Sequence, residues 1–202
     1  MPVPTTHPLL VRAVTRRPAV RLLLALVSCV LLAPLWAAPA QAALPDEQQW
    51  LSDVDTAMHG SKVYLQRQVD AGGTGLAVNL DIDNTALASH YDYGQPVGRV
   101  QRFAAFARSR GVALLFNTGR VKGDGRLLRA VRQLRDAGYD VQEICGRTGS
   151  AETLTHSKQR CRQHFADEGY RTVANVGNRS TDFAGGDYGR GFRLPSYGNQ
   201  LA

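Results

Sequence analysis

From residue 43 onward, short apolar runs alternate with stretches whose apolar residues recur every three to four positions. Leu76 to Leu80, Val112 to Phe116 and Arg171 to Val176 read as strands, the second of them apolar throughout as in strands buried on both faces. Tyr139 to Ile144 and Gly191 to Leu194 are weaker strand candidates. Residues 46 to 69 read as one helix carrying Trp50, Val54, Met58, Val63 and Leu65 at loose helical spacing. Val100 to Ser109, closed by Gly111, is a second helix. Arg126 to Ala137 is a third, with Leu127, Leu128, Val131 and Leu134 on one face and Gly138 at its end. Ser157 to Glu168, stopped by Gly169, is a fourth, and Ser89 to Val97 reads as a loop. Strands alternating with helices predict an α/β fold with a mostly parallel central sheet. Sites in such sheets form outside the carboxyl ends of the strands.

The first 42 residues follow a different pattern. Arg12, Arg16, Arg17 and Arg21 precede a Leu-rich stretch from Leu22 to Trp36, and Ala40-Gln41-Ala42 fits a small-x-small cleavage site. That is the layout of a secretory signal peptide, which predicts a secreted, periplasmic or otherwise extracytoplasmic domain spanning residues 43–202. An uncleaved membrane anchor is the competing reading, but the apolar run is short and interrupted by Pro34. The chain carries 24 Lys+Arg against 17 Asp+Glu, or +7 at pH 7. Four of those arginines fall in the leader and no acid does, so residues 43–202 carry +3. No basic run interleaved with aromatics points to nucleic acid. Export leaves Cys145 and Cys161, which are available for a disulfide, for a metal site with His156 and His164, or as free thiols. Their spacing matches no zinc pattern.

The chemistry-bearing segments all sit at predicted strand ends or open helices. Asp81 and Asp83 follow the first strand, and residues at i and i+2 of an extended chain share a side. Two carboxylates so placed can share a divalent cation, one acting as nucleophile while the other handles protons. Asn117-Thr118-Gly119-Arg120 follows the second strand, Lys158 opens a helix, and Gly177-Asn178-Arg179-Ser180-Thr181-Asp182 follows a later strand. In this order, Asp81-x-Asp83-x-Thr85, Thr118-Gly119, Lys158 and the Gly177 segment resemble the haloacid dehalogenase superfamily. More narrowly, the chain resembles the secreted acid phosphatases of subfamily IIIB, whose relatives include plant vegetative storage proteins. Tyr64-Leu65, Glu168-Gly169-Tyr170 and Phe192-Arg193-Leu194-Pro195 add to the likeness, which spans roughly residues 47–199.

The resemblance implies a Rossmann-like three-layer fold and a phosphomonoesterase working through an aspartyl-phosphate intermediate. Asp81 would be the nucleophile and Asp83 the general acid and base, with Thr85 holding the acidic loop. Thr118 and Gly119 would bind the phosphoryl oxygens, and Lys158 would neutralise both Asp81 and the transferring group. Asp81, Asp83, Asn178 and Asp182 would hold Mg2+ or another divalent cation. Most family members carry Asp where this chain has Asn178, which keeps a carbonyl oxygen but removes a negative charge. Arg120 reads equally as a substrate contact and as a solvated surface residue. Asp187 has no expected role. Asn178-Arg179-Ser180 is formally a glycosylation sequon, read as a chance match.

Thr85 and Thr118 are close enough in sequence to leave little room for a cap domain. An open site predicts small phosphomonoester substrates with little discrimination among them. Two other readings stand beside it, a weakly active or inactive binding or storage protein and a phosphotransferase. A homo-oligomer covering the site is left open, and no membrane partner is expected after leader removal.

Overall fold

The computed structural model describes residues 43–201 apart from Asp124. The leader assigned to residues 1–42 lies outside the described residues. No described helix is long and apolar enough to cross a membrane.

The elements run α1 (Glu47–Ala57), α2 (Ser61–Asp70), β1 (Leu76–Leu80), α3 (Gly98–Ser109), β2 (Ala113–Val121), α4 (Arg126–Asp136), β3 (Glu143–Arg147), α5 (Leu154–Asp167), β4 (Arg171–Gly177), a short 3-10 turn (Ser180–Asp182) and β5 (Arg190–Arg193). The five strands form one sheet in the order β3-β2-β1-β4-β5, and every pairing is parallel. This is the α/β Rossmann-like arrangement expected. The chain leaves β1 toward β2 on one side and reaches β4 on the other, so the order reverses at β1, where a crevice opens.

Side-chain alternation along the strands decides what each face meets. Val78 and Leu80 of β1, Leu114 and Phe116 of β2, and Ala174 and Val176 of β4 enter the larger core with Phe103, Leu134 and Trp50. Ala77, Leu115, Cys145, Cys161 and Phe165 form a smaller core beneath α5. Burying this much apolar surface, at about 25 cal/mol per Å², is the main force holding the layers together.

Three expectations about elements need correction. The single helix over 46 to 69 is two helices, broken at Gly60, whose φ of 72° is left-handed and cannot continue a right-handed helix. Leu65 is buried while Val63 is 58% exposed, so the apolar spacing that suggested one continuous face is not one face. The third strand starts at Glu143 rather than Tyr139. Gly138 (φ 83°) turns the chain after α4, and Tyr139 packs edge-on against Phe116 in the core instead of joining the sheet. Helix α5 begins at Leu154, because Thr153 caps it by accepting from the His156 amide. Lys158 therefore lies in the second turn, where neighbouring elements surround it.

Candidate active site

β1 ends at Leu80, and the chain turns at once: the Thr85 and Leu87 amides both donate back to the Ile82 carbonyl. Asn84 sits at the apex with φ 52°, a conformation Asn tolerates because its side chain bonds locally. Its Oδ1 accepts from the Ser89 and His90 amides, and its Nδ2 donates to the Leu201 carbonyl. This loop presents Asp81 and Asp83 to a cavity of about 290 Å³ whose wall also includes Gly119, Arg120, Lys158 and Arg179.

Lys158 is the centre of the charge arrangement. Its Nζ lies 2.5 Å from Asp81 Oδ1 and 2.7 Å from Asp182 Oδ1, with all three side chains at least nine-tenths buried. Nζ also donates to the Asn117 carbonyl, while Asn117 Nδ2 donates to the Lys158 carbonyl at 2.8 Å. That reciprocal pair fastens α5 to β2. Burial alone would lower the Lys158 pKa, but Asp81 and Asp182 outweigh it and raise the pKa above the ordinary value. The lysine is charged at neutral pH. Asp81 is pushed up to about 6, chiefly by desolvation, with Lys158 opposing and Asp182 and Asp83 adding to the rise.

Asp83 is more open. Arg120 donates Nη2 to its Oδ1 at 2.8 Å and Nε to its Oδ2 at 3.2 Å, and Arg120 is itself steadied by Gln133. Arg120 is thus neither a loose surface residue nor, in this conformation, available alone to a substrate. Thr85 donates its hydroxyl to Asp81 Oδ2 at 3.2 Å, the loop-holding role expected of it. Thr118 is fully buried within β2, and its hydroxyl oxygen accepts from the Arg120 amide at 3.2 Å. The cavity wall next to it is made by Gly119, where a Cβ would come within 2.8 Å of Leu154.

Asp182 is over-determined. Its Oδ2 accepts from the Arg179 amide, and its carbonyl accepts from Asn175 Nδ2 and Arg162 Nη1. Gly177 is small for this reason, since a Cβ there would lie 2.4 Å from Asp182 Oδ2. Asn178 is fully buried, and its Nδ2 donates 2.8 Å to the same Leu201 carbonyl that Asn84 holds. Its Oδ1 is buried with no hydrogen-bond partner. A sequon asparagine so enclosed offers no nitrogen to a glycan. Asp187 is exposed in the loop beyond, at φ 66°.

The residues fit a hard, oxygen-liganded cation. An orphaned buried amide oxygen (Asn178) and a buried carboxylate (Asp81) are donors of the oxygen type that a hard divalent cation takes. Among the described residues no cluster of three or more His, Cys, Asp and Glu could hold a metal. Asp83 and Asp182, the other two expected donors, have their carboxylates engaged by Arg120 and Lys158. Zinc at the cysteines is excluded by a different pairing: Cys145 and Cys161 form a disulfide, and His164 bonds Glu143 instead.

Comparison with known families closes the assignment. A family model described as HAD superfamily, subfamily IIIB (Acid phosphatase) matches residues 94–200, more than half of the chain. The chain belongs to this family. The matched segment contains Thr118, Lys158, Asn178 and Asp182, while Asp81 and Asp83 lie just upstream and are brought to them by the β1–β4 pairing. Haloacid dehalogenase proteins generally use divalent cations, and subfamily IIIB membership makes this a phosphatase domain. Among curated proteins, none matches the chain.

Sequence reasoning overlooked Asn79, Asn175 and Arg162. Asn79 and Asn175 are register partners on β1 and β4 and are hydrogen-bonded to each other beneath α5. The available signal was a buried-strand asparagine repeated in Val-Asn-Leu, Phe-Asn-Thr and Ala-Asn-Val.

Proposed function

We propose that the protein is a secreted, divalent-cation-dependent acid phosphatase that hydrolyses phosphomonoesters through an aspartyl-phosphate at Asp81. The observation that carries this reading is the buried Lys158 clamped between Asp81 and Asp182 on the cavity wall. A carboxylate beside two others resists ionising, and a fixed ammonium is the device that makes it usable as a nucleophile.

In the first step an Asp81 oxygen forms a bond to phosphorus as the bond to the leaving oxygen breaks. Asp83, on the same wall, gives that oxygen its proton once it is protonated and parted from Arg120, which in this conformation takes both of its oxygens. In the second step Asp83 takes a proton from water, whose oxygen bonds phosphorus while the Asp81–phosphorus bond breaks. Lys158 would offer positive charge, and the Thr118 hydroxyl and the Gly119 backbone amide hydrogen-bond donors, to the phosphoryl oxygens. Asp81 and Asn178 would hold Mg2+, joined by what Asp83 and Asp182 contribute through backbone or water. The cation, when bound, supplies charge neutralisation at the phosphoryl group. Export is supported by the leader pattern and by a disulfide suited to an oxidising compartment.

Acid-quenching the enzyme during turnover and mapping its peptides tests the covalent step. Phosphate on the Asp81 peptide, absent from Asp81→Asn, is the expected result. Turnover with no trapped phosphopeptide under any quench, together with full activity of Asp81→Asn, would sink the mechanism.

A further inference from the structure

The cavity wall carries Arg120, Arg126, Arg147, Lys158 and Arg179 against the carboxylates of Asp81 and Asp83. Lys158 and Arg120 are matched to carboxylates. Arg147, at the end of β3, is matched to none of the described ones. Its guanidinium is held entirely by neutral groups: Nε donates to the Glu152 carbonyl at 2.8 Å, and Nη2 donates to the Ser150 and Glu152 carbonyls. The nearby Glu152 carboxylate is spent elsewhere, on Arg160 at 2.8 and 3.3 Å and on the Thr148 amide at 2.7 Å. Arg147 is therefore a full positive charge, fixed in place before any ligand arrives, with Nη1 still unbonded among the described residues. A guanidinium anchored by carbonyls loses little entropy when it binds an anion, and it suits phosphate geometry.

Position matters as much as charge. Asp81 lies at the end of β1, and β2 separates β1 from β3. The transferred phosphoryl group belongs at Asp81, Lys158 and Gly119, so Arg147 is one strand further along the same wall. The cavity of about 290 Å³ is at the small end for ligand sites, which favours a compact ligand over a bulky one. We propose that Arg147 anchors a second phosphate on the substrate, making compact bisphosphates the preferred class of phosphomonoester. The inference rests on the phosphomonoesterase reading and deepens it.

Binding to Asp81→Asn tests the subsite without relying on turnover. Calorimetry would compare glucose 1,6-bisphosphate with glucose 6-phosphate, and glycerate 2,3-bisphosphate with glycerate 3-phosphate. At least one bisphosphate should bind about tenfold tighter than its monophosphate, as one charge-assisted hydrogen-bonded contact allows. Adding Arg147→Gln should bring that ratio to near the statistical factor of about two expected for two equivalent phosphates, and Arg147→Lys should keep part of it. Arg129→Gln, on the neighbouring helix outside this cavity wall, should leave the ratio in place. Ratios near two for both pairs would overturn the proposal. So would a preference that survives Arg147→Gln, or one that Arg129→Gln reduces equally, since that is diffuse attraction to a basic surface. Parallel turnover of p-nitrophenyl phosphate by the wild-type protein separates the two ideas: turnover without bisphosphate preference defeats the subsite alone, and bisphosphate preference without turnover defeats the phosphatase reading alone.

Discussion

Under the proposed reading Asn178 would carry two jobs that an aspartate could not combine. Its Nδ2 donates to the Leu201 carbonyl, which Asn84 also holds, and its buried, unpartnered Oδ1 would be left for the cation. Asn178→Asp removes the donor and sets a carboxylate against a carbonyl oxygen. In chelator the variant should lose about 1–3 kcal/mol of stability, the cost of an unmet buried partner. In Mg2+ it should gain more than the wild type does. Thermal unfolding in both conditions checks this, and identical metal-free curves would contradict it. Asp81 gives a pH signature at the same scale. Its folded pKa of about 6 stands above the unfolded value of 3.8 because burial penalises the charge. The unfolded chain ionises first, so the stability this carboxyl contributes is full below about pH 4 and is lost as pH rises through about 6. Metal-free wild type should lose stability relative to Asp81→Asn across that window in urea titrations. Parallel curves would show that Asp81 has no such shift.

At the scale of elements, α5 is the organising piece. Lys158 and, one turn further on, Cys161 and Arg162 tie it to β2, β3 and the loop after β4. Arg162 is fully buried and donates to the carbonyls of Asp182, Ala184 and Gly186, with the Tyr188 ring 5.4 Å away. Arg162→Met would orphan three carbonyls and release the loop that sets Asp182. A loss of about 3 kcal/mol is expected, with lower kcat and the Lys158 charge less well held. Full stability and activity would mean the loop holds itself. The disulfide spans 16 positions and joins α5 to β3 beside the same site. Replacing Cys145 and Cys161 together by Ala should cost about 3 kcal/mol on a chain-entropy account, and chemical denaturation measures it. These ties explain what the sequence could and could not reveal. Strands β1, β2 and β4 were legible because long apolar runs have few other uses. The break at Gly60, the late start of β3 and the cap at Thr153 depend on single backbone angles and one hydrogen bond, which periodicity does not record. Lys158 was legible through its resemblance. Arg162 was not, since an arginine buried against carbonyls has the same sequence signature as one in water.

For the molecule as a whole, the parallel sheet and its reversal at β1 bring residues from the loop after β1, the ends of β2 and β3, α4, α5 and the segment after β4 to one rim. Among the described residues, the connection from the acidic loop to β2 contains α3 and no separate domain. An uncapped site should hydrolyse phosphate esters of varied skeletons, with the charge of the substrate mattering more than its shape. A panel of esters differing only in the leaving group should give kcat/KM values within about a hundredfold of one another, where a capped pocket would spread them further. The most direct test of the central claim is hydrolysis of p-nitrophenyl phosphate by the full chain, with Mg2+, with chelator, and beside Asp81→Asn. Turnover that requires the cation and disappears in the variant is the result expected of a phosphatase with Asp81 as its nucleophile. Folded protein with Mg2+ that shows no turnover from acidic to neutral pH, or undiminished turnover by Asp81→Asn, would contradict it.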